Sequence, residues 1–364
     1  MEDYFSMKIL LYSDVHISKT SSILPLSYKD SKFSFRQNMI IETGKYLANL
    51  ADEYKVDMII NLGDTFDVHT VTSYDIVTAS EFFKCFRYLN VPHLVLVGNH
   101  EMLNSDFNAV EILSNIDNIT VIDEPCRTGV ATLLKSDSSE QISLAFLPYS
   151  NYKDIIEFPD GDFLFSHQDI QGSVIRGMTT LTDGIGVDDL KKYKLVFNGH
   201  IHKPSIMGNV VNVGSVTTHS FADDDLAVPQ CYVFDTVTLD LTTYKPTICP
   251  LFRKIDVNTV DELKQVVSNL NEYYKYIINC SCPFNIKDDV KSYLSKCDNI
   301  LNHRLSVKID KDANDNKEND IVLQQSNLDI TKSFIGFLDT IELKYPKELY
   351  INIMEEVKNN DKEG

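Results

Sequence analysis

Five short stretches set metal-capable side chains directly behind apolar runs. Asp14 and His16 follow KILLYS as D-x-H, Asp64 stands in GDTFD, Asn99 and His100 in GNHE, His167 closes FLFSH, and His200 and His202 form GHIH. Imidazole and carboxylate donors, with no thiol among them, suit first-row divalent ions such as Mn2+, Fe2+ or Zn2+. Two such ions roughly 3.5–4 Å apart need a shared ligand, and a carboxylate such as Asp64 can serve as one. The glycines at 63, 98 and 199 let the backbone turn sharply enough to aim the next side chain inward. Singly, each motif has an ordinary reading: GD is a common turn, Asp14 can cap a helix, and a histidine behind a strand is most often a loop residue. Jointly, five such stretches in this order point to a dinuclear metal site.

The elements that must position them read as α/β. Short apolar runs at 8–13, 57–63, 93–99, 142–148, 162–167, 194–200 and 209–215 predict strands, and the spacing of Ile40, Ile41, Tyr46, Leu47 and Leu50 predicts a helix over about 36–54. A second helix is expected over about 73–89. In open α/β sheets the carboxyl ends of the strands meet at one crevice, so residues almost two hundred positions apart can converge.

After Phe221 the texture changes. CYVFDTVTLDLTTYKP (231–246) alternates like a hairpin leaving the main domain, and a small βαβαβ pattern follows from Leu251, with FRKIDV, YYKYIINCSC and RLSVKID as its strands. Lys311–Asn327 is polar and reads as a linker, and the remainder as an amphipathic helical tail. The expected domains are therefore 1–225, 226–310, a linker at 311–327, and a tail at 328–364, in keeping with the two-domain prior for 364 residues.

Charge and cysteine usage narrow the setting. With 53 acidic against 34 basic residues the net charge is −19, so an anionic substrate needs local basic groups or bound cations. Seven scattered cysteines suggest reduced thiols in a cytoplasmic protein; Cys280 and Cys282 form a C-x-C without a nearby second pair for zinc. No basic, apolar leader and no apolar run of 18 residues is present, so neither a signal peptide nor a membrane span is expected.

The ordered set D-x-H, G-D-x-x-D, G-N-H-[DE], H, G-H-x-H resembles the calcineurin-like metallophosphoesterase superfamily, over about residues 7–220. The resemblance implies a sandwich of two mixed β-sheets flanked by helices. It implies one metal held by Asp14, His16, Asp64 and His202, and another by Asp64, Asn99, His167 and His200. His100 would then be the general acid that protonates the leaving oxygen, and Asp67 would support the loop through a hydrogen bond. Glu101 stands where the motif usually has Asp. His219 is a candidate for lining the site, whereas His69, His93 and His303 read as structural or surface residues.

GDTFDVH and the later GSVTTHSFADDD…CYVFD look like the DNA-repair nuclease group of SbcD, meiotic recombination eleven and the compact nuclease subunits of large phages. That likeness implies a manganese-activated nuclease, with Mg2+, Fe2+ or Zn2+ as other possible metals. Its activities would be 3′-to-5′ exonuclease action on duplex DNA and endonuclease action on single strands. It further implies a DNA-binding cap, a homodimer with 70–89 as a candidate face, and a tail that docks on an SbcC-like coiled-coil ATPase. Phe334, Phe337, Leu338, Ile341, Leu343, Leu349, Tyr350, Ile353 and Val357 could form the docking face. Arg36, Lys203, Arg253 and Lys254 are candidates for DNA backbone contact, although each also reads as a solvated surface charge. Two rivals remain: a phosphodiesterase or phosphatase acting on small-molecule or protein phosphoesters, and a non-catalytic scaffold.

Overall fold

The structure, a computed structural model, describes residues 6–18, 24, 31–104, 107–129, 142–151, 157–175, 179–218, 221 and 228–308. The chain divides into two compact units, Met1–Lys308 and Ile309–Gly364. The expected linker and helical tail lie outside the described residues, as do His219 and most of the acidic stretch behind it.

Along the chain run β1 (Lys8–Tyr12), α1 (Phe35–Tyr54), β2 (Met58–Asn61), α2 (Ser73–Lys84), β3 (His93–Leu96), β4 (Ile119–Ile122), β5 (Cys126–Gly129), β6 (Ser143–Leu147) and β7 (Phe163–Ser166). They are followed by β8 (Val174–Ile175), β9 (Thr179–Thr180), β10 (Leu195–Asn198), β11 (Ser205–Met207), β12 (Val210–Asn212), β13 (Cys231–Asp235) and β14 (Leu241–Tyr244). A last group comprises β15 (Leu251–Asp256), α3 (Val260–Ser268), β16 (Tyr276–Cys282), α4 (Lys287–Leu294) and β17 (Ile300–Val307).

Two mixed six-stranded sheets result, ordered β14-β13-β1-β2-β3-β4 and β11-β12-β10-β7-β6-β5. Alternation along the strands explains their stacking, since successive side chains point to opposite faces. Ile9, Leu11, Met58, Ile60, Leu94 and Leu96 of the first sheet meet Leu144, Phe146, Phe163, Phe165 and Phe197 of the second in one buried core. Leu10, Tyr12, Ile59 and Val95 face the other way, onto Ile40, Leu47, Phe82 and Phe83 of the helices. Five phenylalanines of the inter-sheet core are fully buried, each worth roughly 1.5–3 kcal/mol against exposure, so this core holds the layers together.

The helices begin where the sequence supplies caps. Ser34 and Gln37 form a capping box on α1, and Thr72 and Asp75 form one on α2. The second helix ends at Lys84, short of the expected 89, and Arg87–Leu89 tighten into a 3-10 turn. Turning there seats Phe86 against Tyr12 and His93, with the Phe86 and His93 ring centroids 4.8 Å apart.

The hairpin expected to leave the first domain is built into its first sheet instead. Strand β13 runs antiparallel to β1, pairing Phe234 with Ile9, and both Tyr232 and Phe234 join the inter-sheet core. Burying that apolar face is what keeps the hairpin on the sheet. The following βαβαβ segment forms a separate three-stranded parallel sheet, β15-β16-β17, with its own core of Leu251, Leu263, Ile278, Cys280, Val290 and Leu294. No helix among the described residues is long and apolar enough to cross a membrane.

Candidate metal centre

The ligand candidates sit on loops that leave the carboxyl ends of β1, β2, β3, β7 and β10. Asp14, His16, Asp64 and His200 all adopt left-handed backbone, with φ of 56°, 47°, 50° and 68°. Such conformations cost of order 1–3 kcal/mol each for a non-glycine residue and persist only where the surroundings enforce them. Here the loops behind β1 and β2 hydrogen-bond to each other: Asp14 N donates to Gly63 O (3.0 Å), His16 N to Asp64 O (3.0 Å) and Ile17 N to Thr65 O (2.7 Å).

Arg36, a candidate for DNA contact on sequence grounds, is buried at 3% exposure. Its guanidinium donates to the carbonyls of Val15 (3.1 Å), His16 (3.0 Å) and Thr218 (2.6 Å), fastening the D-x-H loop from behind. Its place on the inward face of α1, not its charge, decides this role.

The cluster has two halves. Single donor atoms of Asp14, His16 and His202 lie within 4.8 Å of one another, and so do those of Asp64, His167 and His200. His16 Nε2 is 3.2 Å from His202 Nε2, 3.7 Å from Asp14 Oδ1 and 3.6 Å from Asp64 Oδ2. Asp64 Oδ2 is also 3.4 Å from His167 Nε2, so one carboxylate oxygen faces both halves. Asn99 Oδ1 lies 3.2 Å from His167 Nε2 and 2.8 Å from His200 Nδ1. The seven ligand candidates predicted from sequence therefore come together, with His100 beside them.

Three imidazoles are held by the ring nitrogen that faces away from the cluster. Nδ1 of His16 is 3.2 Å from Asp67 Oδ1, Nδ1 of His167 is 2.7 Å from Leu62 O, and Nε2 of His200 is 3.0 Å from Asp169 Oδ1. Such contacts fix the tautomer and leave the other nitrogen's lone pair for a cation. Asp67 thus supports the site through His16, while Asp169 was missed by sequence reasoning. Its signal in the sequence is the H-x-D of SHQD, the mirror of the D-x-H at 14–16. Tyr149 was missed too, and its ring flanks His200 and His167 at 6.0 and 6.4 Å between centroids.

His100 adjoins the ligand candidates: its ring centroid is 4.7 Å from that of His16, and single donor atoms of His16, Asp67 and His100 lie within 4.8 Å of one another. Its Nδ1 is 2.9 Å from Asp67 O, its backbone N donates to Asp64 Oδ1 (3.1 Å), and its side chain is 38% exposed, whereas His16 and His167 are buried. Glu101 is buried, and its carboxylate accepts from Phe66 N (2.9 Å) and Gly98 N (2.7 Å), joining the loops behind β2 and β3. Burial pushes the Glu101 carboxyl up to about 7. At Gly98 a side chain is excluded, because a Cβ would collide with Asp64 Oδ1.

Donor chemistry and burial both fit divalent cations. The Asp14 carboxylate is fully buried, yet neither of its oxygens accepts a well-aligned hydrogen bond, an arrangement that proteins avoid unless a cation completes it. Asp14 and Asp64 are both held well below the usual carboxylate range: burial opposes this, but neighbouring histidines outweigh it. The remaining histidines lie elsewhere. His93 is buried in the helix-side core, His69 is exposed and His303 is half-buried on β17. Lys203 and Arg253 are half-buried and Lys254 is exposed.

Comparison with known proteins places this geometry. The family model described as calcineurin-like phosphoesterase matches residues 7–204, more than half of the chain. The chain is 27% identical over 205 residues to Exonuclease subunit 1 of Enterobacteria phage T4, an alignment covering 54% of this chain and 58% of that protein. It is 30% identical over 118 residues to the DNA double-strand break repair protein Mre11 of Saccharolobus solfataricus, covering 32% of this chain and 29% of that one. The Mre11 protein of Sulfurisphaera tokodaii is 26% identical over 121 residues, with coverage of 32% and 29%. The aligned segments span less than two thirds of each of these relatives.

Proposed function

The chain belongs to the calcineurin-like phosphoesterase family, and from that premise we propose that it is a two-metal DNA nuclease. Asp14, His16, Asp64 and His202 would hold one cation and Asp64, Asn99, His167 and His200 the other. The observation that carries the reading is the single Asp64 oxygen facing His16 Nε2 at 3.6 Å and His167 Nε2 at 3.4 Å. A pair of Mn2+ ions bound there would neutralise a phosphodiester and make a water molecule acidic enough to attack it at neutral pH.

This chain's own residues do the rest. The bond between His100 Nδ1 and Asp67 O leaves Nε2 as the ring nitrogen that would deliver a proton to the leaving oxygen. Asp14, Asp64 and the histidines, by holding cations, would give a net-acidic protein a local site that a phosphate can approach. DNA as substrate is supported by the likeness to proteins named as an exonuclease subunit and as double-strand break repair proteins. On that reading the activities are 3′-to-5′ exonuclease action on duplex DNA and endonuclease action on single strands. The small sheet β15-β16-β17 with its helices acts as the cap beside the DNA, two copies pair through 70–89, and residues 328–364 dock on an SbcC-like ATPase in the cytoplasm.

The test is to incubate the protein with Mn2+ and either labelled linear duplex DNA or an aryl phosphodiester, comparing the native chain with Asp64→Ala and His100→Ala. DNA degradation that disappears in both variants supports the nuclease. Cleavage of the small ester with no action on DNA, even with an ATPase partner present, would favour a phosphodiesterase or phosphatase.

A further inference from the structure

We propose that Asn198 is a positioning residue that sets the spacing between the His167 and His200 loops; the proposal rests on the reading of the cluster as a cation site. Asn198 ends β10 and is fully buried. Its Oδ1 accepts from Ser166 Oγ (2.7 Å) and from Gln168 N (2.9 Å). The two hydrogens of its Nδ2 are shared among Gln168 O (3.0 Å), Gly199 O (2.7 Å) and Asn212 Oδ1 (3.0 Å).

The reciprocal pair with Gln168 is the informative part. The ladder between β7 and β10 closes with Ser166 opposite Asn198 and with Gly199 N donating to Ser166 O (2.9 Å). Beyond that point Gln168, which is buried, finds the Asn198 side chain in place of a strand neighbour for both its N–H and its C=O. Buried main-chain groups require such partners, so removing the amide obliges the 167–169 loop to move.

That loop carries two groups the cation site uses. His167 precedes Gln168, and Asp169 follows it with Oδ1 3.0 Å from His200 Nε2. His200 lies two residues beyond Asn198 on the other side. The amide therefore closes a ring through Gln168, Asp169 and His200, and this ring belongs to only one half of the cluster. Behind it Asn212 steadies Asn198, donating from its own Nδ2 to Ser173 Oγ and Ser205 Oγ, both at 3.0 Å.

Mn2+ binding to the purified full chain, measured calorimetrically and by electron paramagnetic resonance, tests this for native protein, Asn198→Ala and Asn209→Ala. The last is a control for lost hydrogen bonds, because Asn209 donates to Leu190 O (3.0 Å) and Tyr193 O (2.8 Å) away from the ligand loops. Native protein is expected to bind two ions. Asn198→Ala should keep one at native affinity and bind the other about tenfold to a hundredfold more weakly, while Asn209→Ala keeps both. Two full-affinity ions in Asn198→Ala, or equal weakening of both ions in the two variants, would overturn the proposal. Failure of the native chain itself to bind a pair of ions would instead remove the reading beneath it. Should Asn198→Ala not fold, hydrogen exchange in metal-stripped native protein decides. The Gln168 amide should exchange as slowly as those inside β7, and exchange at the rate of an unprotected amide would overturn the role of Asn198.

Discussion

Asp64 Oδ2 lies 3.4 Å from Nε2 of His167, and the same oxygen is 3.6 Å from Nε2 of His16, so the two halves of the cluster share one atom. That sharing makes Asp64 unlike any other ligand candidate. Replacing it with Asn or Ala should weaken both cations together and abolish hydrolysis, whereas His202→Ala, which touches one half, should weaken one cation only. Calorimetric Mn2+ titration of the two variants distinguishes these patterns, and a single affected site in Asp64→Ala would contradict the shared role.

His100 is more exposed than the buried histidines and hydrogen-bonded to Asp67 O through Nδ1, which suits a proton donor rather than a ligand. His100→Gln should therefore retain both cations and lose about 10²–10⁴ of its turnover. The loss should shrink when the substrate carries a leaving group that needs no proton, such as a nitrophenolate. Loss of a cation in this variant would assign His100 to the ligand set.

Cation affinity should depend on pH. Burial works against charge on both rings, but carboxylates outweigh it: Asp14 and Asp67 bring His16 to about 8, and Asp64 brings His167 to about 9. In metal-stripped protein both rings then carry protons at pH 7, and a cation must displace them. Apparent affinity should climb as pH rises towards about 8, approaching tenfold per pH unit for each proton released, and level off above about 9. The same raised values stabilise the stripped fold fully below pH 6.5, and that contribution is lost as pH rises through about 8 and 9. Titrations in buffers of different ionisation enthalpy count the protons; pH-independent affinity would refute the account.

His93 gives a separate acid sensitivity, remote from the cluster. Burial drops its imidazole to about 3, and the neutral ring lies with Nε2 2.8 Å from the Tyr12 hydroxyl. Because the unfolded chain takes up this proton near pH 6.5 and the folded one does not, the contribution is present above 6.5 and is lost as pH falls towards 3. The stability advantage of native protein over His93→Gln should narrow by about 1.4 kcal/mol per pH unit across that window. Urea unfolding at several pH values measures it, and a constant difference would show that the folded chain protonates His93 as readily as the unfolded one.

What was legible in the sequence follows from what periodicity and motif can encode. Runs such as KILLY, MIIN and FLFS announce buried strands, and the polar groups behind them announce the cluster, because strand ends and ligand candidates are adjacent in the chain. Arg36 was misread since its surroundings are set by which face of α1 turns inward and by carbonyls at 15, 16 and 218, far apart in sequence. Asp169 and Asn198 escaped notice for the same reason: an ordinary Asp or Asn becomes a support only when another loop folds against it. The strands β4, β5 and β11 carry mixed or short patterns and sit at sheet edges or beside them, where alternation is weak. The hairpin at 231–244 showed its alternation but not its partner, since pairing with β1 across more than two hundred residues leaves no local trace.

The most direct measurement of the central claim is anomalous diffraction from crystals of the native chain soaked in Mn2+. The account predicts two peaks roughly 3.5–4 Å apart, both within coordination reach of Asp64, one beside Asp14, His16 and His202 and the other beside Asn99, His167 and His200. A single peak, or two that do not share Asp64, would contradict it.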